Sequence, residues 1–309
     1  MTRGILAILG AAQRDCDLAG LAERQGLLAI GAVPQLQVFA GGDVSWRTLA
    51  DGRLVIGDLF VGGGADDKGG DPAPGWGNFL SFTVRPTEVE VERAPLTGNP
   101  LYWVRVGGSI LCASRPQLLN ELAPPRLVDW VFAAETLAYV NLRSARTGIA
   151  GVSELLPGSR LIWNGREAFV ESTWSPWDHV ARQRRGSARQ LAPELRRRII
   201  ACVGDWTRSR PKTVLELSGG LDSSIVAAAL AAAKADFRAI TLATPGADGD
   251  ERRFARAVAD RCRIELVEKL HDASAVDLVS PLTDPGFRPA AYSVLGGIDR
   301  AFAEALPER

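Results

Sequence analysis

Seven consecutive residues, Ser218-Gly219-Gly220-Leu221-Asp222-Ser223-Ser224, bring three hydroxyls, two glycines and one carboxylate together. Two glycines let the backbone turn tightly and come close to a ligand. A helix beginning here directs its unpaired N–H groups and the positive end of its dipole back into the turn. Ser218, Ser223 and Ser224 add hydroxyl donors, and the combination makes a cradle for phosphate. Asp222 alone would repel that phosphate, and a bridging Mg²⁺ resolves the conflict. The Walker A pattern G-x-x-x-x-G-K-[ST] is absent, which disfavours a P-loop kinase or GTPase. The plainer reading of the same string is a glycine turn that caps a helix.

The flanking elements have the form such a turn requires. Thr213 to Leu217 reads as a strand and Ser223 to Ala233 as an Ala-rich helix. Arg238 to Ala243 reads as a second strand, Glu251 to Arg261 as a second helix and Glu265 to Lys269 as a third strand. Strands alternating with helices predict a parallel sheet. Ahead of them, Ser187 to Arg208 carries Leu191, Leu195, Ile199 and Val203 at intervals of four, a helical period, with Arg196-Arg197-Arg198 as its solvated face. Arg182 to Arg189 reads as a linker, and composition shifts near residue 178. The first ~175 residues read mostly as β, in short runs separated by Gly and Pro: 27–30, 35–40, 53–57, 79–85 and 88–93. Leu101 to Val106 and Ser109 to Ala113, split by Gly107-Gly108, form the clearest hairpin, and Asn164-Gly165 marks another. Asp129 to Leu142 reads as helix, and Ile5 to Leu9 as a buried first strand. The Gly- and Asp-rich stretch Gly62 to Pro74 reads as a flexible connection. Two domains follow, 1–178 and 187–309.

The 36 Lys and Arg residues balance 36 Asp and Glu, so the formal net charge is zero, which argues against a general nucleic-acid binder. Cys16, Cys112, Cys202 and Cys262 form no CxxC pair, and His179 and His271 stand far apart. A disulfide framework and a zinc knuckle are therefore not expected, and isolated thiols suit a reducing cytoplasm. No stretch reaches the ~20 apolar residues that span a bilayer, so no membrane or nucleic-acid partner is expected.

The string SGGLDSS resembles the pyrophosphate loop of the N-type ATP pyrophosphatases, and within them the chain resembles the asparagine synthetase family. Gly98-Asn99-Pro100-Leu101-Tyr102-Trp103, followed by Ser109-Ile110-Leu111-Cys112-Ala113-Ser114, is similar to that family's G-x-x-P-L-Y-Y … F-A-S hairpin. Gly151-Val152-Ser153-Glu154-Leu155-Leu156-Pro157-Gly158 is similar to its G-I-x-x-L-x-P-G turn. The resemblance implies an α+β fold in two parts. The first is an Ntn-hydrolase-like β-sandwich domain. The second is a truncated α/β parallel-sheet ATP-pyrophosphatase domain of the adenine nucleotide α-hydrolase type. It implies ATP and Mg²⁺ as cofactors, with residues 218–224 holding pyrophosphate, Asp222 ligating the metal, and Glu216 and Leu242 touching adenine through their backbones.

Departures from the family pattern shape the finer expectation. Asparagine synthetases begin Met-Cys-Gly-Ile, the cysteine being the glutaminase nucleophile. Here Gly4-Ile5 matches that Gly-Ile, so Arg3 takes the nucleophile's place and cannot serve as one. Thr2 lies one residue early, and the R-G-P-D segment of the glutamine site is missing. Relatives without glutaminase activity include β-lactam synthetases and lasso-peptide macrolactam synthetases, which use an amine carried by the substrate. Trp174-Ser175-Pro176-Trp177 and Gly249-Asp250-Glu251-Arg252-Arg253-Phe254-Ala255-Arg256 look most like the lasso-peptide branch. Packing is the plainer reading of the two tryptophans, and a first-turn helix carboxylate that of Glu251. The reaction so implied is formation of an acyl-adenylate and pyrophosphate, then displacement of AMP by an amine. The partners would be a precursor peptide and a leader-processing protease. The family's S-G-E-G-G-D-E motif does not occur before Arg309, and Gly296-Gly297-Ile298-Asp299 is no substitute. A fragment, or a split or decayed gene product that is inactive alone, is the expectation. Asparagine synthesis from free ammonia, a β-lactam-synthetase-like enzyme, and a noncatalytic partner-binding module are the alternatives.

Overall fold

Ile5-Leu6-Ala7-Ile8-Leu9 breaks the apolar/polar alternation of a half-buried strand, and a strand buried on both faces is what such a run requires. The computed structural model describes residues 4–10, 18–60, 75–95, 100–121, 127–139, 143–180, 185–208, 210, 212–243, 246, 250–270 and 301–304. Described residues 4–60 and 75–180 form one compact unit, and 185–270 with 301–304 form another.

The first unit runs β1 (Ile5–Leu9), α1 (Leu18–Arg24), β2 (Leu27–Val33), β3 (Leu36–Gly41), β4 (Trp46–Thr48), β5 (Leu54–Phe60), β6 (Trp76–Val84) and β7 (Val89–Arg93). It continues through β8 (Tyr102–Val106), β9 (Ser109–Ala113), α2 (Pro116–Asn120), α3 (Trp130–Ala138), β10 (Ser153–Glu154), β11 (Ser159–Trp163), β12 (Ala168–Ser172) and α4 (Trp177–Val180). Its strands form two antiparallel sheets, ordered β10-β8-β9-β1-β3-β2 and β12-β11-β7-β6-β5-β4. Ile5, Ala7 and Leu9 face the second sheet and pack with Leu54, Ile56, Leu80, Phe82, Val91 and Trp163. Leu6 and Ile8 point the other way, onto Leu18 and Leu21 of α1 and Leu118 and Leu119 of α2. Each such leucine or isoleucine removed from water contributes about 1.5–3 kcal/mol. An ion pair lies within this apolar interior. Arg93 Nη1 donates to Glu154 Oε1 at 2.8 Å and to the Leu155 carbonyl at 2.6 Å, and Arg143 joins the same carboxylate from the surface. Burial pulls the Arg93 pKa down, and the Glu154 hydrogen bond opposes that shift.

The second unit holds α5 (Ala188–Arg208), β13 (Thr213–Glu216), α6 (Leu221–Ala232), β14 (Phe237–Ala243), α7 (Arg252–Cys262) and β15 (Leu266–Leu270). Strands β13, β14 and β15 lie parallel in that order, with Thr213 opposite Phe237 and Ala239 opposite Leu266. Leu217, Ala227, Ala239, Ala255 and Ala259 pack as one buried cluster, and Leu230, Phe237 and Ile240 are buried in the same unit. Ser187 precedes α5, and its amide donates to Gln190 Oε1 at 2.9 Å, one half of a capping box. Arg196, Arg197 and Arg198 are exposed on α5 as the sequence predicts, with Arg198 paired to Glu194 one turn back. Among the described residues no helix is long and apolar enough to cross a membrane.

The bounds of α6 and α3 differ from expectation. Helix α6 starts at Leu221 and not Ser223, so Asp222 and Ser223 lie in its first turn. Helix α3 ends at Ala138, where Tyr139 (φ −133°, ψ 70°) leaves helical geometry; residues 140–142 lie outside the described residues.

Candidate functional site

The turn begins where β13 leaves the sheet. The buried Leu217 keeps one more link, its amide donating to the Ile240 carbonyl at 2.8 Å. Gly219 then takes φ +81°, a left-handed conformation that favours glycine. A Cβ placed there would sit 2.5 Å from Phe254 Cβ and 2.6 Å from both the Phe254 carbonyl carbon and the Ala255 amide. The turn is therefore pressed directly onto the first turn of α7. Gly220 is the N-cap of α6 (φ −69°, ψ 171°) and contributes no side-chain cap. The next three amides, of Leu221, Asp222 and Ser223, are the orphan donors of a helix start. Ser224 is the first whose amide bonds within the helix, to the Gly220 carbonyl at 3.1 Å.

The hydroxyls are engaged inside the turn. Ser218 Oγ accepts the Gly220 amide at 3.2 Å and lies 3.1 Å from Ser223 Oγ. Ser224 Oγ donates to the Gly220 carbonyl at 2.6 Å, a helix back-bond. Main-chain amides are thus the principal donors that the turn offers, and the serines hold it in shape. Asp222 is exposed in the first turn of α6, where the helix dipole favours its charge. Glu216 ends β13 and is exposed; Leu242, half-buried, is the penultimate residue of β14. The loop, Glu216 and Leu242 therefore share the carboxyl edge of the parallel sheet, where open α/β sheets bind ligands.

Helix α7 supplies the neighbouring charges. Arg252 grips Asp250 at 2.8 and 2.6 Å, and Arg256 grips Glu268 at 2.6 and 2.7 Å. The Arg252 side chain draws the Asp250 carboxyl down to about 2. Glu251, expected as a first-turn carboxylate, is instead the residue that precedes the helix, and its carbonyl accepts the amides of Phe254 and Ala255 at 2.9 and 3.2 Å.

Among the described residues no three His, Cys, Asp or Glu side chains cluster to hold a metal. Mg²⁺ needs no such cluster, because it takes one or two carboxylates and completes its shell with phosphate oxygens and water. Orphan amides and a lone exposed carboxylate at one helix start fit a magnesium-bound polyphosphate. Gly98-Asn99, Gly249, Thr2, Arg3, Cys16, His271 and residues 296–299 lie outside the described residues. Sequence reasoning missed the part played by α7 in shaping the turn. Its trace in the sequence is Ala255 and Ala259, small residues four apart that let a neighbouring backbone close in.

One comparison with known proteins falls on this unit. Residues 194–286 match the family model described as asparagine synthase. No curated protein sequence matches the chain. Among solved structures the chain is similar to glutamine phosphoribosylpyrophosphate amidotransferase from B. subtilis, complexed with ADP and GMP. That likeness has 13% identity, covers 91% of this chain and 69% of that one, and has a TM-score of 0.29. A second is the allosteric regulatory enzyme of purine biosynthesis, at 9% identity, 98% of this chain, 82% of that one, and a TM-score of 0.29. A TM-score of 0.29 is too low to define a common fold.

Proposed function

We propose that the second unit binds ATP and that the chain serves ATP-dependent amide-bond formation. The carrying observation is the turn itself: orphan amides of Leu221, Asp222 and Ser223 at the carboxyl edge of a parallel sheet, within the segment that matches the asparagine synthase family model. ATP is a co-substrate in this reading. A substrate carboxylate oxygen bonds to the α-phosphorus and pyrophosphate leaves. An amine nitrogen then bonds to the activated acyl carbon, gives up a proton, and AMP leaves. The amides of 221–223 hold the pyrophosphate portion, with Ser218 and Ser223 fixing the turn, while Glu216 and Leu242 offer main-chain contacts to adenine. Asp222 would hold Mg²⁺, which supplies charge neutralisation for the leaving group.

The finer proposal is that the amine belongs to the substrate, as in lasso-peptide macrolactam formation on a precursor peptide supplied by a leader protease. Arg3 in the place of the glutaminase nucleophile supports an amine source other than glutamine. The match to the asparagine synthase model favours a second reading, aspartate amidation by free ammonia.

Binding of ATP by the full chain, measured by calorimetry with and without Mg²⁺, tests the common core. Asp222→Ala should abolish most of the Mg²⁺ dependence while leaving the fold intact. A chain that binds ATP equally well in both forms and in EDTA would refute the metal role. Pyrophosphate release that depends on aspartate and ammonia would select the second reading over the first.

A further inference from the structure

Among the described residues, the charges around the turn leave a cation unaccounted for. On α7, Arg252 is neutralised by Asp250 and Arg256 by Glu268. Glu216, Asp222 and Glu251, all exposed, add negative charge at the same edge of the sheet. Among the described residues no carboxylate pairs with Arg253. Its guanidinium carbon lies instead 4.4 Å from the centroid of the Phe254 ring. Phe254 is the residue whose Cβ walls Gly219, and the residue is 48% exposed. The aromatic face therefore holds a cation on the residue that packs against Gly219, with no acid partner among the described residues.

The geometry points to Arg253 as a phosphate-binding residue for the terminal phosphates of the nucleotide, an inference that rests on reading the Ser218–Ser224 turn as a phosphate cradle. A magnesium-bound triphosphate keeps net negative charge, and with Asp222 engaged by the metal, Glu216 and Glu251 at this edge oppose its approach. Helix amides offset only part of this, because a helix start carries about half an elementary charge. The Ser224 hydroxyl is spent on the Gly220 carbonyl and adds no donor. A guanidinium supplies a full charge and a planar pair of donors that matches phosphate. The Phe254 ring limits the side-chain freedom that would otherwise be lost on binding.

Calorimetric titration of the full chain with inorganic pyrophosphate, ATP and adenosine, each with MgCl₂, tests the assignment. Arg253→Gln should weaken pyrophosphate and ATP about tenfold and leave adenosine unchanged, and Arg253→Lys should recover part of the loss. Pyrophosphate affinity unchanged in Arg253→Gln, beside a wild type that binds it, overturns the assignment and leaves the cradle standing. Equal weakening of adenosine shows a merely structural role and also overturns it. A wild type that binds neither pyrophosphate nor ATP removes the cradle reading, and the assignment with it.

Discussion

At the scale of single residues, the two glycines of the turn are not equivalent. Gly219 has φ +81° and would drive a Cβ into backbone atoms of α7 at 2.6 Å, which cannot swing aside as a side-chain end can. Gly220 has φ −69°, and its nearest obstacle to a Cβ is Ser218 Oγ at 3.3 Å. Gly219→Ala should therefore cost the second unit about 1–3 kcal/mol, from strain and overpacking together. Gly220→Ala should cost under about 1 kcal/mol, the difference between a glycine and an alanine N-cap. Urea unfolding of the two variants measures both, and equal midpoints would contradict the close approach of turn and helix. The string Ser-Gly-Gly told the reader that a tight turn was needed. It did not tell which glycine carries the strain, because that depends on α7, some 35 residues further along the chain.

At the scale of elements, end signals decided what could be read. Asp129 was legible as a helix start, and its carboxylate accepts the Phe132 amide at 3.0 Å and meets Arg146 at 2.9 Å. The Phe132 amide, and after it Arg146, hold the Asp129 carboxyl below its ordinary value of 3.8. A carboxylate lowered in the folded state stabilises above its unfolded pKa, and that support is lost as pH falls through 3.8 toward the folded value. Amide exchange at Phe132 and Ala133 should therefore lose protection between about pH 5 and pH 3, and Asp129→Asn should flatten that dependence while keeping a cap acceptor. Protection that stays constant in the wild type over this range would exclude Asp129 as the titrating cap. The hairpins divide along the same line. Gly107-Gly108 is a two-residue turn with Val106 opposite Ser109, as its spacing implies. Asn164-Gly165 opens a four-residue loop instead, closed by Asn164 Oδ1 accepting the amides of Arg166 and Glu167 at 3.0 and 2.8 Å. Helix α1 went unseen because seven residues are too few for a clear period; Leu18, Leu21 and Ala22 are helical and buried through contact with Leu6 and Ile8. Strand β4 is exposed throughout, so no apolar alternation marked it.

At the scale of the whole molecule, the two units differ in what holds them. The first encloses Trp163, Phe82, Leu80, Leu101, Ile110 and Leu111, all fully buried. Among its described residues the second buries Leu217, Leu230, Phe237 and Ile240, and its other buried apolar residues are alanines; a buried methylene is worth about 0.8 kcal/mol, so those alanines contribute little. Leu195, on the apolar side of α5, is 60% exposed and borders a groove of about 290 Å³ with Ile199, Ile225 and Ala228. The second unit should accordingly melt first, in a calorimetric scan that shows two transitions. A ligand that binds only the folded second unit must raise that transition and leave the other in place. At a free concentration about 100 times its dissociation constant it adds about 2.7 kcal/mol. Magnesium and pyrophosphate should move the lower transition upward, and the Gly219→Ala variant should start lower and respond less. A shift confined to the upper transition would place the phosphate site in the first unit, against the assignment of the turn.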